Sequence, residues 1–210
     1  MRQEKLTFII VFLTFIVFSL VQPVSAEGQG TSTPKENLFS GLSLKFGWMT
    51  KPNVEGLGDK WIASIAFDKK IRPYLAWGLE CQPYFRGYKG GDIKTSLIAG
   101  NVFLNAKGGY PIGKLINMKA LWFLKPLKLY GGLGAGVELS NISVTIEGES
   151  YNDFNLHFAW HMIFGVEYAL PKISFIVEYQ PVRVIDKNLE PSTIKSSYLF
   201  LGIRLYNFKI

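Results

Sequence analysis

Between Leu127 and Ser140 the chain reads LKLYGGLGAGVELS, and the two parities of this stretch differ completely. Leu127, Leu129, Leu133, Ala135, Val137 and Leu139 share one parity with Gly131; Lys128, Tyr130, Gly132, Gly134, Gly136, Glu138 and Ser140 share the other. Successive side chains of a strand point to opposite faces, so the stretch predicts a ribbon with one apolar face and one small, polar face. A helix is disfavoured, because each interior glycine would cost it about 1 kcal/mol.

The same two-faced ribbon recurs along the chain. Leu42, Leu44, Phe46 and Trp48 alternate with Gly41, Ser43, Lys45 and Gly47 within residues 41–50. Trp61, Ala63, Ile65 and Phe67 oppose Ser64 and Asp68 within 61–68, and Leu75, Trp77, Leu79, Cys81 and Phe85 oppose Gly78, Glu80, Gln82 and Tyr84 within 74–87. Residues 94–109 are ambiguous, with Ile98, Val102 and Leu104 against Leu97 and Phe103; Asn101, Asn105 and Lys107 mark the second parity as the polar one. After 127–140, Phe158, Trp160, Met162, Phe164 and Val166 oppose His157, His161, Gly165 and Glu167 within 155–168. Phe175, Val177 and Tyr179 oppose Ser174, Glu178 and Gln180 within 173–181, and Leu199, Leu201, Ile203 and Leu205 oppose Gly202 and Arg204 within 196–208. The prediction is eight amphipathic strands in one domain.

Connections one, three, five and seven are long and polar, whereas two and six are short. Alternating brief turns and longer loops between two-faced segments is how a transmembrane β-barrel is written. The expected outer loops are residues 49–60, 87–94, 140–154 and 182–195. The fourth connection, 110–126, should be a turn but is long and mixes apolar residues with lysine. It reads equally as a short interfacial helix and as an extension of its hairpin.

At the amino terminus, Arg2 and Lys5 precede an apolar run from Leu6 to Val21, and Val24-Ser25-Ala26 puts small residues where a signal peptidase cuts. This predicts a secretory signal over 1–26, cleaved near Ala26, followed by a flexible periplasmic leader over 27–37 and a barrel over 38–210. The lone Cys81 allows no intrachain disulfide.

Alternation by itself does not separate a membrane barrel from a soluble one; the contents of the two faces do. The apolar faces carry no charged residue at their centres, aromatics such as Trp48, Trp61, Tyr168 and Tyr179 sit near strand ends, and the polar faces are rich in glycine. Interfacial aromatic girdles and a crowded lumen account for both features. Eight strands enclose a space just wide enough for their own side chains, and unpaired charge there is very costly. The charges must therefore pair. The expected lumenal network draws on Lys45, Glu80, Glu178, Arg204, Glu167 and His161, and acts as a plug.

LYGGLGAGVELS, FGVEYALPK, ISFIVEYQP and the closing LFLGIRLYNF resemble the small eight-stranded outer-membrane barrels of Gram-negative bacteria, the opacity-type, OmpX-like and OmpA N-terminal barrel family. The resemblance covers most of 38–208. It implies an all-β, eight-stranded, antiparallel up-and-down transmembrane barrel in the cell outer membrane. It also implies functions ranging from adhesion to structural support, with a few lipid enzymes.

No cofactor, metal ion or nucleic acid is expected. GGLGAG lacks the third glycine of a dinucleotide fingerprint, since position 137 is valine. His157 and His161 share a strand face but stand roughly 13 Å apart, too far to grip one ion. A lipid A deacylase pattern would place serine two residues after a histidine, where Ala159 and Ile163 stand. His157 with Ser140, Ser143 or Ser150 is the nearest approach to an acyl-transfer arrangement. The expected function is non-enzymatic: surface loops that recognise a host or cell-surface ligand, or structural support. The alternatives are a lipid A-modifying enzyme (acyl transfer or deacylation) and a narrow pore for small solutes. Expected partners are outer-membrane lipid and lipopolysaccharide, phosphate-bearing surfaces suited to a formal net charge of +7, and the barrel is expected to be a monomer.

Overall fold

Each two-faced stretch forms a strand. The computed structural model describes residues 41–50, 60–72, 74–90, 93–112, 124–146, 149–185 and 193–206. The strands are β1 (Gly41–Thr50), β2 (Lys60–Arg72), β3 (Leu75–Gly90), β4 (Ile93–Pro111), β5 (Leu127–Ile146), β6 (Glu149–Ala169), β7 (Ile173–Ile185) and β8 (Thr193–Leu205). Every strand pairs antiparallel with its sequence neighbour, and β8 returns to pair with β1 from Leu42↔Leu205 to Thr50↔Ser197, closing the barrel. Closure satisfies the backbone donors and acceptors that an open sheet would leave at its edges.

The hydrophobicity of a water-soluble protein is inverted. Leu133 and Leu201 are 60% and 63% exposed on the outer wall, in company with Leu44, Phe46, Ile65, Leu104 and Phe164. Lys45, Glu80, Glu167, Glu178 and Arg204 are buried inside. A fully buried charge is rare in soluble proteins, and a continuous belt of exposed leucine and phenylalanine is rarer still. On β4 the ambiguous parity resolves as expected, with Phe103 inside beside Asn101 and Asn105, and Ile98 and Leu104 outside. Aromatic pairs stand near both ends of the belt. Trp48 and Phe46 pack on Trp61 at one end, with ring centroids 4.3 and 4.9 Å apart, and Tyr74 stacks on Tyr110 at 5.5 Å at the other.

The end where Tyr74, Pro126 and Lys172 lie is tied by backbone hydrogen bonds. Gly109 donates to Tyr74, Ala169 to Pro126 and Tyr206 to Lys172. At the opposite end two expected loops are mostly strand. Residues 87–90 and 93–94 stay in β3 and β4 up to the pair Gly90↔Ile93, and 140–146 and 149–154 form the arms of a projecting hairpin paired from Ser140↔Asn155 to Ile146↔Glu149. The reason is local: Ile142, Val144 and Ile146 are β-branched, and their alternation continues past the lipid-facing part of the strand. Similarly, Met49, Thr50, Lys60, 182–185 and 193–195 belong to strands; residues 51–59 and 186–192 lie outside the described residues. The expected signal (1–26), the leader (27–37) and the interior of the 110–126 connection also lie outside them.

An outward leucine facing lipid gives a sharp expectation. Leu133→Arg should lower the stability of the vesicle-inserted barrel by about 2–4 kcal/mol, and Leu133→Val by far less. Urea unfolding from phospholipid vesicles measures both. A fold that met water with this wall would tolerate the arginine.

Candidate functional site

The lumen holds three stacked layers. The first, nearest the turns, is organised by Arg204. This side chain comes from β8 and its Nη1 donates to Glu167 Oε2 on β6 at 2.6 Å, its Nη2 to Asp68 Oδ2 on β2 at 2.9 Å, and its Nε to Ser43 Oγ on β1 at 2.9 Å. Glu167 also accepts from Ser174 at 2.6 Å and from Tyr206, and Lys107 Nζ lies 3.2 Å from Asp68 Oδ1. The three fixed donors of the guanidinium thus join four strands at one point.

The middle layer is built around Lys45. Its ammonium bridges Glu80, at 2.6 Å, and Glu178. One ammonium facing two carboxylates leaves an excess negative charge, and neutral donors absorb it. Glu80 also accepts from Ser64 at 2.6 Å, Gln82 at 2.9 Å, Asn105 at 2.8 Å and Gln180 at 3.1 Å, and Glu178 from Tyr130 at 2.8 Å and from Gln180. Hydrogen bonds to the ionised form are what make buried carboxylates tolerable. Imidazole closes this layer: His161 Nδ1 lies 2.9 Å from Gln180 Oε1 and Nε2 lies 2.8 Å from Asn105 Oδ1.

The third layer, toward the projecting hairpins, is mostly aromatic and aliphatic, with Asn101 and Ser196 buried against the Tyr198 hydroxyl. Phe103 stacks on His161 at 4.0 Å and is packed in a cluster with Met49, Ile62, Ala159, Val182, Val184, Tyr198 and Phe200. The Lys45 ammonium lies 5.1 Å from the Phe200 ring centre, which carries the middle layer into the third.

All six residues singled out in the sequence lie inside the barrel, but they form two separate clusters. Lys45, Glu80 and Glu178 meet, while Arg204 meets Glu167 and Asp68. His161 touches amides, not carboxylates. Sequence reasoning passed over Asp68, Lys107, Gln82, Gln180 and Asn105 as network members. Parity alone would have marked them, since Gln82 and Gln180 share a strand face with Glu80 and Glu178, and Asp68, Asn105 and Lys107 lie on the polar faces of their own strands.

Glycine makes the packing possible. Across the wall, Gly132, Gly134 and Gly136 of β5 stand opposite Lys107, Asn105 and Phe103 of β4, and opposite Ile163, His161 and Ala159 of β6. A Cβ on Gly134 would overlap both His161 and Asn105, one on Gly165 would overlap the Tyr130 ring, and one on Gly202 would come within 2.7 Å of Lys45 Cγ. The GGLGAG run is a bed for large lumenal side chains.

Of the residues weighed for acyl transfer, Ser140 shares the lumenal face of β5 with Glu138, which lies opposite His157, while Ser150 lies away from them in the hairpin. Ser140 is buried on the lumenal face, whereas Ser150 is exposed in the hairpin with its hydroxyl 3.1 Å from Thr145 Oγ1. In register, Glu138 faces His157 and Ser140 faces Asn155; Tyr84 donates to Glu138 at 2.6 Å. Among the described residues no group of three His, Cys, Asp or Glu side chains could hold a metal ion.

Among solved structures, neisserial surface protein A aligns with 79% of this chain and 97% of its own, with a TM-score of 0.51 and 20% identity. The fold is that of the small transmembrane β-barrels. Ail, the attachment invasion locus protein of Yersinia pestis, aligns at 13% identity and a TM-score of 0.48 over 80% of this chain and 99% of its own. The N-terminal β-barrel domain of Pseudomonas aeruginosa OprF aligns at 10% identity and a TM-score of 0.42 over 79% and 97%. No family model and no characterised protein sequence matches the chain.

Two substitutions test the layers. Lys45→Met strands two buried carboxylates and should cost about 3–5 kcal/mol in vesicle unfolding, most of it regained in Lys45→Met/Glu80→Gln/Glu178→Gln. Gly134→Val should displace His161 from Asn105, seen as a shifted imidazole resonance by NMR in detergent micelles; an unmoved resonance would show that the bed is not needed.

Proposed function

We propose that this protein is an outer-membrane barrel, exported by a cleaved signal over residues 1–26, that acts through its projecting hairpins and not through its interior. The observation that carries this reading is the middle layer: the Lys45 ammonium bridges Glu80 and Glu178, and a shell of amide and hydroxyl donors absorbs the negative charge that is left. A conduction path would need those groups to face water. Instead they face each other, beneath a packed layer that contains Phe103, Phe200 and Tyr198. The lumen is a structural plug that fixes the barrel, and recognition belongs to the surfaces outside it.

The hairpin of β5 and β6 is the principal candidate for that surface. It presents Ile146, Tyr151 and Phe154 exposed, together with Glu149, Asp153 and Ser150. Exposed aromatic and apolar groups interleaved with polar ones suit adhesion to a host or cell-surface ligand, or contact with lipopolysaccharide. The role is non-enzymatic and the barrel acts as a monomer.

Reconstituted in planar bilayers, the wild-type barrel is expected to show no steady single-channel conductance. Lipid A from cells with and without the protein should give the same mass spectrum. Replacing residues 143–152 by a short Asn-Gly turn should abolish attachment to target cells while the heat-dependent gel shift of the folded barrel persists. Steady conductance would overturn the plug; altered lipid A would establish the enzymatic alternative; and undiminished attachment would remove the hairpin from its role.

A further inference from the structure

The two ends of the barrel differ in charge. At the turn end Lys69, Arg72, Lys125 and Lys172 are all exposed, and Lys70 and Lys128 are half-buried. The carboxylates of that end are Asp68 and Glu167, and both are buried in the Arg204 cluster, 6% and 0% exposed. The sequence from 108 to 137 contains no Asp or Glu. No described carboxylate therefore stands on the turn-end surface to balance the four exposed cations. At the hairpin end, by contrast, Lys94 and Lys195 share the surface with Glu149 and Asp153.

The basic residues sit beside an apolar and aromatic rim. Ile71, Tyr74, Tyr110 and Leu170 are exposed there, with Tyr74 stacked on Tyr110. Arg72 lies in register with Leu75, Lys69 with Trp77, and Lys172 is in the turn that follows Leu170. Aromatic and aliphatic groups at this height anchor a barrel at the headgroup level, and long cationic side chains next to them reach phosphates while their stems stay in the apolar zone.

We infer that the turn end is a docking surface for anionic phospholipid, with Lys69, Arg72, Lys125 and Lys172 forming a ring that binds headgroup phosphates in the leaflet on that side. The inference rests on the transmembrane reading of the fold and adds to it a lipid preference confined to one end. The charge complementarity is one-sided: a zwitterionic headgroup offers each cation a phosphate together with a competing ammonium, whereas an anionic headgroup offers the phosphate alone. A basic side chain near an anionic surface favours association by about fivefold. Spread over the lipids encircling the barrel, the four should give a preference of at least about twofold.

Electron paramagnetic resonance of spin-labelled lipids in phosphatidylcholine membranes containing the full chain tests this. The probes are labelled phosphatidylglycerol and labelled phosphatidylcholine, and the readout is the motionally restricted fraction of each. The wild-type barrel should restrict phosphatidylglycerol at least about twofold more strongly than phosphatidylcholine. Lys69→Gln/Arg72→Gln/Lys125→Gln/Lys172→Gln should equalise the two, and Lys94→Gln/Lys195→Gln at the hairpin end should leave the preference intact. The restricted phosphatidylcholine fraction reports insertion in every variant, so loss of folding is not mistaken for loss of preference. Equal restriction by the wild type, a preference that survives the fourfold substitution, or one abolished from the hairpin end would each overturn the inference. If neither lipid is restricted by the wild type, it is the transmembrane reading that fails.

Discussion

Inside a bilayer no water is present to hydrogen-bond a free N–H or C=O, and everything else in this structure follows from that. A sheet can survive there only if it has no edge, so β8 must find β1. Closing the sheet creates an interior, and the alternation of strand side chains then sends one parity into lipid and the other into a space with no solvent. The outer parity is simple to supply with Leu, Ile, Phe and Trp. The inner parity is difficult, because whatever is placed there must satisfy itself.

The inner solution separates charge from bulk. Arg204 and Lys45 each draw two carboxylates from different strands, and Gln82, Gln180, Asn105 and Ser64 spread the residual negative charge over neutral donors. Bulk is handled by pairing opposites across the wall: a large side chain on one strand faces a glycine on the next, as Lys45 faces Gly202, Tyr130 faces Gly165 and Asn105 faces Gly134. Any register slip by one residue would move a charge into lipid and a leucine onto an ion pair, so the same network that closes the lumen also selects the register.

Much of this was legible in the residues. The faces of all eight ribbons follow from parity, because lipid tolerates no charge at the centre of the wall, and even β4, with Phe103 and Leu97 on its polar side, could be oriented by Asn101, Asn105 and Lys107. Pairings across the barrel were not legible. Lys45 meets a residue 133 positions away, and nothing local says whether Arg204 will choose Glu178 or, as it does, Glu167 and Asp68. That choice depends on height along the barrel, which strand tilt and stagger decide. The length of the hairpins was not legible either, for a different reason. Polarity marks where lipid ends, but it does not mark where strands end, and Ser143–Ile146 keep pairing well into the aqueous side.

The central claim is that the apolar parity of each strand meets lipid. Spin labels placed one at a time at Phe158, Met162, Phe164, Leu133 and Leu201 in a Cys81→Ser background, with relaxation by oxygen compared against a water-soluble nickel chelate, measure it most directly. The account predicts high oxygen and low chelate accessibility at all five positions in vesicle-inserted protein. Labels at these sites that the chelate reaches as freely as oxygen would place the apolar wall in water and contradict it.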